Sequence, residues 1–319
     1  MVGLLGNKVN LSPSEAIISG ALSGVTTRAV ISPFDVVKIR LQLHVGKKQG
    51  GRNTGLVNAV STIFREEGVR AFWKGHTASQ LLSVVYGAVQ FGMFTKVSHV
   101  IEELYPGRSP DTQPLVSFVS GGVAGTAGSF FSQPLDLVRT RMVMQRHQLT
   151  YTSTGEAFLS ILQKEGFRGF YRGLIPNLLQ VVPSASLQFG AYSSCILLYT
   201  KVQAIEKERL SNKESFLFGA VSGVFAKCAV LPFDVTKKRL QVQGFRKVIQ
   251  EGGLESVPVY KGLVHCVTTV YKHEGILGFY KGALPSLLKA FVSTGTTFMT
   301  FNFFSGLVTA SRTYRNGLS

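Results

Sequence analysis

Three copies of one charged pattern recur along the chain: Pro33-Phe34-Asp35-Val36-Val37-Lys38-Ile39-Arg40, Pro134-Leu135-Asp136-Leu137-Val138-Arg139-Thr140-Arg141 and Pro232-Phe233-Asp234-Val235-Thr236-Lys237-Lys238-Arg239. Each runs proline, an acid two residues on, a base five on and a second base seven on. An acid and a base three residues apart share a helix face, so the plainest chemistry is an ion pair within each helix. Three such faces at equal depth around an axis offer another arrangement, in which each acid bonds the base of a neighbouring copy: Asp35 with Arg139, Asp136 with Lys237, Asp234 with Lys38. Closed, this ring plugs the end of a central cavity; opened, it lets solute through. Charge inside an apolar helix is costly unless partnered and marks function by default, which favours the ring.

Further polar residues fall in register with one another. Counting from the glycines that start the later helix of each copy, positions seven, eleven and fifteen on share one face. They are Leu82, Tyr86 and Gln90; Gln180, Ser184 and Gln188; and Lys289, Ser293 and Thr297. Two glutamines at one offset and a lysine in an apolar stretch predict a polar cavity lining, with helix-to-helix hydrogen bonding as the alternative for the glutamines. Five residues before each proline stand Arg28, Ser129 and Lys227. Arg28, Lys227 and Lys289 then give the cavity three cations with no matching acid, which predicts an anionic solute with phosphate as the natural group. There is no Ser/His/Asp set, metal-ligand cluster or phosphate loop. Cys195, Cys228 and Cys266 lack disulfide or zinc spacing and read as small apolar fillers. A cofactor is not expected.

These residues need elements to hold them. The pattern starts lie 101 and 98 residues apart in 319, so one unit was triplicated, over residues 1–105, 106–208 and 209–319. In each unit an apolar stretch leads into the pattern. Its glycine pairs, Gly20/Gly24, Gly121/Gly125 and Gly219/Gly223, have the spacing that lets helices approach closely in lipid. Pro33, Pro134 and Pro232 fall inside apolar helices that continue beyond them, so they predict kinks and not ends. A polar link follows (Val45–Thr54 in the first unit), then a short amphipathic segment closing at Glu67-Gly68, Glu165-Gly166 or Glu274-Gly275. Closing seven residues past that glycine come Trp73-Lys74-Gly75, Tyr171-Arg172-Gly173 and Tyr280-Lys281-Gly282. An aromatic and a cation before a helix start suit a membrane interface, where backbone amides meet lipid phosphate. A second apolar span, long enough to cross a bilayer, completes each unit. The predicted class is an all-α membrane protein, one transport domain of six transmembrane helices in three tandem repeats with pseudo-threefold symmetry.

Composition agrees. A mean hydropathy of +0.20 accompanies 34 Lys+Arg against 17 Asp+Glu, and a soluble basic protein would be polar as well. The +17 charge is spread over all three repeats with no nucleic-acid motif, which disfavours nucleic-acid binding. The links within repeats carry nineteen bases, and the termini and links between repeats nine. This excess places the long links on the inner face and both termini on the other. The first residues, Met1-Val2-Gly3-Leu4-Leu5-Gly6-Asn7, resemble neither a secretory signal nor an Arg-rich presequence, so any targeting is expected to be internal.

Taken together, P-x-D-x-x-[KR]-x-R, a link, E-G and aromatic-[KR]-G, three times over, resemble the mitochondrial carrier family across essentially the whole chain. The resemblance implies six tilted helices in the inner membrane, alternating access, the charged ring as the matrix gate, and cardiolipin at the helix ends near each aromatic-[KR]-G. It also implies a glutamine nine residues after the proline that braces a gate pair: Gln42 and Gln241 match, Val143 does not. The outer gate of the family has an acid that residues 94–98, 192–196 and 301–305 lack, so that gate must be weak or hydrogen-bonded. The base Lys289 matches a substrate-contact position of nucleotide-type carriers, while Gln180-Val181 departs from the usual small–aliphatic pair. Stretches such as Thr27-Arg28-Ala29-Val30-Ile31-Ser32-Pro33, Tyr86-Gly87-Ala88-Val89-Gln90-Phe91 and Lys237-Lys238-Arg239-Leu240-Gln241 are most similar to the branch that carries thiamine pyrophosphate. This implies uptake of that solute against nucleotides by a monomer, with another phosphorylated solute, a nucleotide or coenzyme A, as the alternative.

Overall fold

The computed structural model describes residues 13–43, 55–105, 113–145, 151–203, 212–243 and 258–316. The link at Val45–Thr54 and both chain ends lie outside the described residues. Each repeat is a long helix, a short helix and a second long helix. They are α1 (Pro13–Leu43), α2 (Leu56–Glu67) and α3 (His76–Leu104); α4 (Gln113–Met144), α5 (Thr154–Gly169) and α6 (Leu174–Gln203); and α7 (Asn212–Gln241), α8 (Leu263–Glu274) and α9 (Ala283–Asn316). The six long helices have 29 to 34 residues. At about 1.5 Å per residue each exceeds the roughly 30 Å of hydrocarbon it must span. By length and hydropathy alone, Val69–Leu104, Leu174–Tyr199 and Leu217–Gln241 qualify as spans.

Helices α1, α4 and α7 run through Pro33, Pro134 and Pro232 without ending, as the apolar sequence beyond each proline predicts. Helix α6 also runs through Pro183, which the repeat comparison did not single out. Conventional burial is concentrated at one end. There, Val36, Ile39 and Leu43 of α1 and Leu137 and Val138 of α4 pack with Ile63, Phe72, Ile161 and Phe170 from the short helices and the turns after them. Along the long helices, large apolar side chains point outward; Phe91, Phe291 and Met299 are each more than three-quarters exposed. An apolar exterior over the length of a bilayer is stable in lipid and not in water.

One expectation is corrected. Of the six glycines spaced for close approach, only Gly125 has a neighbour where a side chain would begin, with Val181 Cγ1 at 3.0 Å; Gly20, Gly24, Gly121, Gly219 and Gly223 face open space. Apart from Gly128, which meets Tyr86 at 3.1 Å, the other tight glycine contacts lie at the end with the short helices.

Candidate functional site

Beyond the three prolines, α1, α4 and α7 meet through their charged pattern. Arg139 reaches Asp35 at 2.5 Å, Lys237 reaches Asp136 at 2.8 Å and Lys38 reaches Asp234 at 3.1 Å. All three pairs join different repeats, and none of the three acids bonds the base three residues on in its own helix. Asp35, Asp136 and Asp234 are buried. The ring joins α1, α4 and α7 at the end that also carries the short helices.

The three cavity cations are not all unpaired, and this corrects the sequence reading. Lys289 of α9 bonds Asp35 at 2.6 Å, and Lys227 bonds Asp234 at 2.6 Å. Lys227 and Asp234 are seven residues apart, two turns along one helix face, so a long ammonium side chain extends down to the ring. Arg28 has the same spacing to Asp35, but that carboxylate is already taken by Arg139 and Lys289. Among the described residues Arg28 has no carboxylate within ion-pairing distance, though it lies close enough to Asp35 and Arg139 to feel both charges. A further lysine, Lys238, bonds both oxygens of Asp136 at 2.9 and 3.0 Å. Seven cations (Arg28, Lys38, Arg139, Lys227, Lys237, Lys238 and Lys289) thus surround three carboxylates, a surplus of four positive charges. In place of three unpaired cations, the ring holds a surplus of positive charge over carboxylates that are shared.

A second ring lies beneath the first, and the sequence reading gave its members no role. The last base of each pattern, Arg40, Arg141 or Arg239, grips the glutamate of its own repeat, Glu67, Glu165 or Glu274, through both terminal guanidinium nitrogens. Its Nε donates to a carbonyl of the next repeat: Arg40 to Val143 at 3.1 Å, Arg141 to Gln241 at 3.3 Å and Arg239 to Gln42 at 3.2 Å. Each acceptor is nine residues after its proline. Lys74, Arg172 and Lys281 add a second cation to the same glutamates. Burial alone would raise the Glu67 and Glu274 carboxyls, but hydrogen bonds from Arg40 with Lys74 and from Arg239 with Lys281 hold them below the ordinary carboxylate range. A signal for this ring was present in the sequence, since an unassigned base and an unassigned acid each recurred three times.

A sequence profile described as mitochondrial carrier protein matches residues 9–104, 110–203 and 208–312. The chain belongs to the mitochondrial carrier family. Members of this family are transporters and not enzymes. Among its relatives are a human protein named mitochondrial thiamine pyrophosphate carrier, 39% identical over 301 residues covering 92% of each chain, and a Phaeosphaeria nodorum protein named mitochondrial thiamine pyrophosphate carrier 1, 36% identical over 94% of each. A maize protein named mitochondrial thiamine diphosphate carrier 2 is 33% identical over 90% of this chain and 92% of its own.

The two glutamines matched to carrier braces behave differently. Gln241 donates to Asp136 Oδ2 at 2.8 Å and accepts from Lys238 and Thr140. Gln42 is fully buried, yet neither atom of its amide has a partner; its stem packs against Gly282. Gln42 therefore does not brace the Lys38–Asp234 pair here. Two glutamines that the sequence reading passed over, Gln145 and Gln243, instead clamp the returning chain by accepting from the backbone N–H of Tyr151 and Tyr260.

Of the other residues placed in the carrier cavity, Gln180 donates to Asn177 at 3.3 Å while its own carbonyl oxygen is buried without a partner. Asn177 also accepts from Lys237 at 2.9 Å and donates to Gln133, so Gln180 is wired to the ring. Tyr86 lays its ring against Gly128 of α4 and Val181 packs on Gly125, so both contribute to helix packing. Leu82 and Gln90 are half-buried and Gln188 is exposed. Along the other edge, Ser23 and Thr27 of α1 bond Thr297 and Thr300 of α9. No ion pair joins residues 94–98, 192–196 and 301–305 among the described residues.

The aromatic-[KR]-G motifs sit directly on the ring. Gly75, Gly173 and Gly282 all have φ near +75°, a region L side chains rarely occupy. A Cβ on them would stand 3.2, 2.8 and 3.2 Å from the carbonyl oxygens of Arg139, Lys237 and Lys38, the three bases of the ring. The Trp73 indole donates to Ala29 of α1 at 3.0 Å. Lys74, Arg172 and Lys281 are engaged with glutamates, as described above, and Tyr280 is partly exposed. Between the second and third repeats a cavity of about 450 Å³ is lined by Tyr171, Arg172, Gly173 and Leu174 at the start of α6 and by Tyr260, Lys261, Gly262 and Leu263 at the start of α8. Two helix N-termini share it.

Proposed function

We propose that this carrier resides in the mitochondrial inner membrane and takes thiamine pyrophosphate into the matrix in exchange for nucleotides, by alternating access. The observation that carries the reading is the surplus of cations over carboxylates at the base of the cavity, which calls for a multiply charged anion. The printed names of the relatives supply the choice among such anions. In this reading Asp35, Lys38, Asp136, Arg139, Asp234 and Lys237 form the matrix gate, with both termini toward the intermembrane space. The ring is closed here, and the solute enters from the side opposite to it. Its diphosphate competes with Asp35 and Asp234 for Lys289 and Lys227 and draws on Arg28. Its aminopyrimidine offers an amine to the unpartnered oxygen of Gln180, with Gln90, Gln188, Leu82 and Tyr86 along the same path.

The cavity between α6 and α8 suits a phosphate of cardiolipin, because helix N-termini present unpaired N–H groups to an anion. By repeat symmetry Trp73-Lys74-Gly75 and Tyr280-Lys281-Gly282 would mark two more lipid sites. The carrier works as a monomer and needs no cofactor, thiamine pyrophosphate being cargo.

The test is uptake of labelled thiamine pyrophosphate by the purified protein in liposomes loaded with nucleotide. Unlabelled thiamine pyrophosphate should compete best in a panel with nucleotides, coenzyme A and inorganic pyrophosphate. Stronger competition by a nucleotide or by coenzyme A would replace the proposed solute with that one.

A further inference from the structure

Lys238 stands outside the repeated pattern. It follows the gate base Lys237, where the other repeats have Ile39 and Thr140. It is buried, and besides both oxygens of Asp136 its ammonium bonds the Thr140 hydroxyl at 2.9 Å and the Gln241 carbonyl oxygen at 3.0 Å. With Lys237 and the Gln241 amide, the Asp136 carboxylate is held by three side chains at 3.0 Å or less. The other two vertices are built differently. Asp35 and Asp234 each have one gate base and one lysine from the cavity side, Lys289 or Lys227, and no glutamine: Val143 cannot serve and Gln42 does not engage.

We infer that Lys238 is a positioning residue that locks the Asp136 vertex independently of solute, so that a bound anion loosens the gate at Asp35 and Asp234 while Lys238 sets how reluctantly the empty carrier opens. A phosphoryl group in the cavity can compete for Lys227 and Lys289, which face it. It does not reach Lys238, which approaches Asp136 from the far side of the ring, where its other partners, Thr140 and Gln241, lie six and nine residues past their prolines. Opening the Asp136 vertex strands two ammonium groups and a carboxylate in a buried place, which is costly. The solute half of this inference rests on the exchange reading above; the lock does not.

The experiment compares the full-length protein, Lys238→Met and Lys238→Arg in liposomes, measuring uptake of labelled thiamine pyrophosphate with and without internal solute. Removing one charge-assisted partner should raise unloaded uptake relative to exchange by about tenfold. The external half-saturation should change little, and Lys238→Arg should restore coupling. A merely structural role would lower both fluxes together, and an unchanged ratio in Lys238→Met overturns the lock. If the unaltered protein takes up no thiamine pyrophosphate, the solute reading fails. The lock is then decided by spin labels at Leu159→Cys and Val264→Cys, exposed positions on α5 and α8, with the three native cysteines replaced by serine. Lys238→Met must lengthen or broaden that distance with no solute present; an unchanged distance rejects the inference.

Discussion

Lys289 of the last helix bonds Asp35 of the first at 2.6 Å, although 254 residues separate them. A base read as a free contact for solute is thereby also a partner of the gate. In the proposed exchange, binding and opening share one ammonium group: a phosphoryl oxygen that takes Lys289 would leave Asp35 with Arg139 as its remaining ion-pair partner.

Neutralising that group should be visible in affinity. Lys289→Gln or Lys227→Gln removes a charge-assisted contact of about 1.5–3 kcal/mol, so the half-saturation for thiamine pyrophosphate uptake should rise about tenfold or more. Liposome kinetics check this. A half-saturation that does not move would exclude both lysines from the solute site.

The ring predicts a charge-swap rescue. Asp234→Lys places three bases at one vertex, the new one beside Lys38 and Lys227, and should abolish exchange, because a buried charge without its partner costs about 3–5 kcal/mol. Adding Lys38→Asp should restore part of it. Absence of recovery, with both proteins folded, would mean that the pair does not act as part of the gate.

The glycines on the ring predict a contrast in stability. Gly173→Ala forces a side chain onto φ +78° with the Lys237 carbonyl 2.8 Å away, which should lower stability by about 1–2 kcal/mol or more. Gly24→Ala, with no atom within 4 Å of its Cβ, should not lower it, since alanine favours a helix by about 0.5–1 kcal/mol. Thermal unfolding in detergent compares the two, and equal losses would refute the close approach.

Glu67 and Glu274 set an acid limit. Their folded carboxyls titrate below the ordinary value of 4.5, so their stabilisation is full above that value and is lost as pH falls through the lower folded one. Unfolding temperatures measured from about pH 6 down to about pH 3 should fall along this course. Glu67→Gln should start lower at neutral pH and fall less steeply. A slope equal to that of the unaltered protein would remove Glu67 from the linkage.

Much of the site was legible because a threefold repeat turns spacing into geometry. Once Pro33, Pro134 and Pro232 were aligned, Asp35, Asp136 and Asp234 fell at one depth, and pairing with a base from a neighbour was favoured over pairing within each helix. The continuation of α1, α4 and α7 through their prolines was equally legible, since apolar helical sequence resumes beyond each one. The second ring was half legible: Arg40, Arg141 and Arg239 and Glu67, Glu165 and Glu274 were seen to recur but were not joined, because the residues that separate them fold back through a link whose path no spacing specifies.

By itself the sequence determined the triplication, the six apolar spans, the depth of the charged ring and the excess of cations around it, all of which follow from periods of 3.6 and of about 100 residues. The tertiary structure decided how partners divide within that ring. Whether Lys227 and Lys289 stay free or descend to Asp234 and Asp35, whether Gln42 braces its pair as Gln241 does, and which vertex Lys238 holds all depend on rotation of each helix about its axis and on competition for the same carboxylate oxygens. Those are relations between repeats. A pattern read within one repeat has no term for them.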